Sequence, residues 1–89
     1  MTRADRIRQK LTEAFRPDAL EVVDESHLHK GHVGARPGGE THYTIRITAE
    51  AFAGAGRVAA HRMIYHALSD EIADGVHALA IDARGPSAD

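Results

Sequence analysis

Cysteine is absent from all 89 residues. That excludes disulfides, thiolate metal centres and thiol nucleophiles, and it leaves no sign of an oxidising compartment. Long apolar runs are missing too, so no segment is expected to span a membrane. The charged start, Met1-Thr2-Arg3-Ala4-Asp5-Arg6, leads into no apolar block, so no secretory signal is expected and the cytoplasm is the expected location. A basic excess is lacking as well: the formal net charge is −2. Dedicated nucleic-acid binders draw most of their affinity from phosphate neutralisation, which leaves at most a local basic patch here.

What the chain does have is an ordinary hydrophobic fraction, 43%, enough for a core without staples. Its length predicts one domain over residues 1–89, with an ordered core over about 2–83 and a short polar tail over 84–89. Histidine stands out. There are seven, against two tyrosines, two phenylalanines and no tryptophan. Imidazole titrates near physiological pH and is the commonest metal ligand, so this surplus in a cysteine-free chain is the main chemical clue.

Ile7, Leu11 and Phe15 recur at four-residue spacing among charged positions, predicting an amphipathic helix from Thr2, its N-cap, to Phe15. Arg16-Pro17-Asp18 ends it. Ala19 to Asp24 is short and rich in β-branched residues and predicts a strand, and Tyr43, Ile45 and Ile47 alternate with polar residues in a second. The two are expected to pair antiparallel around a long loop, Glu25 to Glu40, of the kind that is usually functional. Glu50-Ala51-Phe52 predicts a single helical turn. From Arg57 to Ala73, Val58, His61, Ile64, Tyr65, Leu68 and Ile72 mark the apolar stripe of a second main helix, which Asp74-Gly75 stops. Val76 to Ala83 predicts a last strand. The fold class is therefore α/β (α+β), with a three-stranded mixed sheet carrying helices on one face and a right-handed crossover into the last strand.

The densest cluster of ligand-type side chains is Asp24-Glu25-Ser26-His27-Leu28-His29-Lys30-Gly31-His32. Its three imidazoles lie within six residues on a glycine-containing loop. The bland alternative is a solvated turn. A closed zinc site fits less well, because structural zinc takes four ligands, cysteine often among them. By strand alternation His77 shares a face with Leu79 and Ile81, at the rim of the core, where a structural histidine satisfied by a backbone carbonyl is the competing reading. His61, on the helical stripe, reads as structural. His42 and His66 read as structural or simply exposed.

Asp24-Glu25-Ser26, the glycine-rich loop ending in Glu40-Thr41-His42-Tyr43, His61-Arg62-Met63-Ile64-Tyr65, and Val76-His77-Ala78-Leu79 together resemble the BolA family in order and spacing. The resemblance runs from the first helix to Ala83. It implies a fold like the class II KH domain and no enzymatic turnover. It also implies pairing with a monothiol glutaredoxin, with a two-iron two-sulfur cluster shared by the two proteins and a role in iron–sulfur trafficking or iron regulation. In that scheme the glutaredoxin supplies its cysteine and a bound glutathione thiol. The histidine near the family's last strand falls on His77, and a second ligand comes from the loop. Counting forward from Asp24 favours His29 and counting back from His42 favours His32, so the two stand level, with His27 third. The chemistry agrees, since histidines can replace two thiolates on one iron of such a cluster. A chain without cysteine is expected to hold no cluster when alone. The sequence departs from the family at Ala60, where an arginine commonly precedes the His-Arg pair, and in its abbreviated tail.

Two other classes compete. A DNA-binding regulator would use Arg57 and Arg62 on the second main helix. Gly31-His32-Val33-Gly34 matches the Gly-x-x-Gly clamp of KH domains but lies between strands, and Gly54-Ala55-Gly56 lies between helices with the wrong spacing. Catalysis by Ser26, His29 and Asp24 lacks a rigid scaffold and an oxyanion hole, so no enzyme is expected. The free chain is either a monomer or a homodimer, a choice the sequence leaves open.

Overall fold

The computed structural model describes residues 2–25, 42–76 and 78–86. Helix α1 spans Arg3–Phe15, and its start is set by a reciprocal cap. The Asp5 N–H donates to Thr2 Oγ1 at 3.2 Å, and the Thr2 N–H donates to Asp5 Oδ2 at 3.1 Å. Two donors that no helical carbonyl could satisfy are thereby paired. Hydrogen bonds to its carboxylate from the Thr2 backbone N–H and the Thr2 side chain hold Asp5 below its ordinary value, with help from the Arg8 charge. At the other end Arg16 turns left-handed (φ 45°) ahead of Pro17, and its N–H closes on the Thr12 carbonyl at 2.9 Å.

Three strands follow: β1 (Ala19–Asp24), β2 (His42–Thr48) and β3 (Ala78–Arg84). The sheet order is β1-β2-β3, with β1 antiparallel and β3 parallel to the central β2. This is the mixed sheet the sequence predicts. Alternation divides it into two faces. Tyr43, Ile45 and Ile47 are buried in one core with Val22 of β1 and with Ile7 and Leu11 of α1. The opposite face carries Glu21, Arg46, Asp82 and Arg84, all exposed. Helices therefore cover one face only. Each fully buried side chain of this size contributes about 1.5–3 kcal/mol relative to its exposure.

Between β2 and β3 come a 3-10 turn (Glu50–Phe52), α2 (Arg57–Ala67) and α3 (Ser69–Ala73). The turn brings Phe52 against Phe15, with ring centroids 4.9 Å apart. The one long helix expected over Arg57–Ala73 is thus two. Leu68 leaves helical geometry (φ −103°, ψ 14°), although its N–H still donates to the Ile64 carbonyl at 3.0 Å.

The buried stripe also differs from the expected one. It runs through Ala60, Ile64, Leu68 and Glu71, at successive offsets of four, four and three. Val58 is 65% exposed and Tyr65 is exposed as well, whereas Ala60 is 2% exposed. Bulk misleads here, because the small Ala60 side chain is the one buried in the core. The departure from the family at Ala60 therefore falls on a packing position, and Arg57 and Arg62 remain exposed. The last strand begins at Ala78 and includes Arg84, one residue beyond the predicted core. Among the described residues no helix is long and apolar enough to cross a membrane.

Candidate functional site

The expected iron ligands His27, His29, His32 and His77 lie outside the described residues, as do Ser26 and the Gly31–Gly34 string. What is described is the end of the sheet from which those stretches leave. β1 exits through Asp24 and Glu25, and β2 enters at His42. The Glu25 N–H donates to the His42 carbonyl at 2.9 Å, extending the β1–β2 ladder past Asp24. On the other side of β2, His42 is in register with Ala78, the first residue of β3. The chain on both sides of residues 26–41, and the residue directly after position 77, are thus fastened to one another.

This end of the sheet is ordered by side chains too. The Thr44 hydroxyl donates to Glu25 Oε2 at 2.8 Å across the strand pair. His42 is 9% exposed and shares a cavity of about 230 Å³ with Glu25, Tyr43, Ala78, Leu79 and Ala80. Its burial agrees with a structural role. Sequence reasoning placed Glu25 in the ligand-type cluster but missed its bond to Thr44, whose only advance signal was a β-branched hydroxyl in the neighbouring strand.

The donor chemistry suits half of an iron–sulfur site. Without cysteine the chain has no thiolate to offer, and histidine is the donor type that replaces thiolate at one iron. Among the described residues no group of three His, Cys, Asp or Glu side chains could hold a metal ion. Leu79 and Ile81 are half-buried on the helix-covered face, as the alternation argument for β3 requires.

A second region gathers basic residues. Helix α2 contains Arg57 and Arg62 and no carboxylate. Arg57 and His61 line a groove of about 430 Å³ with Ala55 and residues Ile81, Asp82, Ala83 and Arg84 of β3. His61 is half-buried at its rim and not within the core stripe, while His66 is exposed. Arg84 donates to both oxygens of Asp82, at 2.9 and 3.1 Å. Those hydrogen bonds, with the arginine's charge, hold the Asp82 carboxyl below its ordinary value. The groove's positive character therefore comes from Arg57 more than from the internally paired Arg84. Arg62 is exposed on α2 but is not among the groove's lining residues.

Comparison with known proteins decides the family. The model of the family described as "BolA-like protein" matches residues 11–88. The chain belongs to the BolA-like family. Its fold superposes on the BolA domain of SufE1 from Arabidopsis thaliana with a TM-score of 0.88 and 45% identity, covering 97% of this chain and 94% of that one. A Sinorhizobium sp. protein, "Uncharacterized protein in cobS 5'region", is 47% identical over 97% of this chain and 94% of its own length. The Vibrio cholerae protein named "DNA-binding transcriptional regulator BolA" is 40% identical over 86% of this chain and 69% of its own. This BolA-like chain thus has the mixed three-stranded architecture of BolA domains.

Proposed function

We propose that this BolA-like chain is an adaptor that pairs with a monothiol glutaredoxin and shares a two-iron two-sulfur cluster with it, acting in iron–sulfur trafficking or iron regulation. His77 and either His29 or His32 would supply imidazole nitrogens to one iron, and the glutaredoxin cysteine and a bound glutathione would supply the thiolates. When bound, the cluster supplies a redox-sensitive, transferable link between the two proteins. The chain's own part is to present two nitrogens and to dock; no turnover of a small substrate is assigned to it.

One observation carries this reading. The Glu25–His42–Ala78 junction ties the ends of the histidine-rich stretch to the residue that follows His77. The described residues that flank the stretch 26–41 and position 77 thus meet at one end of the sheet, which supports a reading that takes one donor from each. Mixing the chain with a monothiol glutaredoxin under cluster-reconstituting conditions tests it. Visible absorption and circular dichroism should differ from those of the glutaredoxin alone. An unchanged spectrum defeats the proposal.

The name of the Vibrio cholerae relative and the carboxylate-free helix α2 favour one second reading, DNA binding through Arg57 and Arg62. Affinity for duplex DNA would then fall steeply with salt and weaken in Arg57→Ala. Salt-insensitive pairing with glutaredoxin, without DNA binding, favours the first reading.

A further inference from the structure

Arg3 is 8% exposed, which is unusual for an arginine in the first turn of a helix. Its Nη2 reaches across 71 positions of sequence to grip Asp74 twice, at the backbone carbonyl (3.1 Å) and at the carboxylate (2.6 Å). Its Nε stands 3.5 Å from the Glu71 carboxylate, itself on a residue 6% exposed. Glu71 in turn accepts the Val76 N–H on its backbone carbonyl at 3.1 Å. Val76 is buried in the core. Every residue of the α3–β3 connection from Asp74 to Val76 is therefore held: Asp74 by Arg3, Gly75 by its N–H to the Ile72 carbonyl at 3.3 Å, and Val76 by Glu71 and by packing. Position 77 follows at once, and Ala78 beyond it is fixed by β2.

An ion pair to an exposed carboxylate gains little stability, but a planar guanidinium that gives Nη2 to Asp74 and turns Nε toward Glu71 fixes geometry closely. The grip falls on a backbone carbonyl at the exit of a helix, where apolar packing alone would leave the chain direction loosely specified. We infer that Arg3 is a positioning residue: by clamping Asp74 it fixes the connection Asp74 to Val76 that leads into position 77, where the proposed cluster ligand His77 stands in the sequence. This rests on the reading in which His77 is an iron ligand. The clamp joins the start of the chain to the ligand-bearing connection, with Glu71 as the buried counter-charge.

Two variants test it. Arg3→Met keeps the bulk and removes the grip, and Arg3→Lys keeps a charge but has one nitrogen, which cannot hold Asp74 and face Glu71 at once as Nη2 and Nε of one planar guanidinium do. In the free protein, amide exchange at Val76 should accelerate about tenfold or more in both variants, while the amide of buried Leu68, between α2 and α3, changes less. Equal acceleration at both amides would mean a general loss of stability and would overturn the proposal. In the reconstituted complex with a monothiol glutaredoxin, Arg3→Lys should speed cluster loss in the wild-type background and leave it unaltered in His77→Ala. An equal effect in both backgrounds means Arg3 does not act through His77. A cluster indifferent to His77→Ala alone removes the ligand reading, and the positioning role with it, whereas the exchange data still show whether the clamp exists.

Discussion

Lys10 Nζ lies 2.8 Å from Glu71 Oε2, and that contact joins the middle of α1 to a buried carboxylate on α3. Arg6 Nε closes on the other oxygen at 3.1 Å, so one carboxylate anchors three cations when Arg3 is included. Burial pushes the Glu71 carboxyl up, but hydrogen bonds from Lys10 and Arg6, with their charges, outweigh it and hold the group below its ordinary 4.5.

The sign of the pH dependence follows. A carboxyl depressed in the folded state binds its proton more readily when unfolded, so its stabilisation is complete above 4.5 and is lost as pH falls through the folded value. Thermal unfolding measured over this acid range should show the decline, and Glu71→Gln should flatten it. At neutral pH Glu71→Gln should cost about 1.5–3 kcal/mol, because Lys10 and Arg6 lose a charged hydrogen-bond acceptor while Arg3 keeps Asp74.

The two sides of α2 should respond very differently to substitution. Ile64→Ala empties a fully buried site and should cost about 2–5 kcal/mol in denaturant titration. Val58→Ser, on the exposed side, should stay within about 0.5 kcal/mol of wild type. Comparable losses for the two would return Val58 to the core stripe.

Gly85 is closed to any larger residue. A Cβ there would lie 2.7 Å from the Ala53 Cα, a backbone atom that cannot swing aside. Gly85→Ala should therefore destabilise by about 1–3 kcal/mol, readable as a lowered melting temperature. Gly54→Ala meets no atom within 4 Å, and its cost comes only from its positive φ of 75°.

Much of the fold is legible in the residues because its elements are locally consistent. Thr2 marks the start of α1, Pro17 its end, and the alternation of Tyr43, Ile45 and Ile47 marks the central strand and its buried face; the part Asp5 plays in the cap came only with the structure. The stripe of α2 is less so: Val58 and Tyr65 look apolar and periodic, but a small alanine occupies the contact. The clamp from Arg3 to Asp74 was not legible at all. Buried charges run against the apolar-inside pattern, and their partners lie a whole chain apart. For the proposed site, the shared cluster is what the resemblance to the BolA family implies, and histidine excess with cysteine absence is compatible with it. The convergence of Glu25, His42 and Ala78 needs the strand register, and the expected ligand positions lie outside the described residues.

The central claim concerns which atoms surround the iron. Pulsed electron paramagnetic resonance of the reduced cluster in the complex with a monothiol glutaredoxin, prepared with wild-type chain and with His77→Ala, measures this directly. Imidazole nitrogen couplings should be present in the first sample and diminished in the second. A nitrogen-free spectrum from the wild-type complex, with sulfur donors on both irons, would contradict the account.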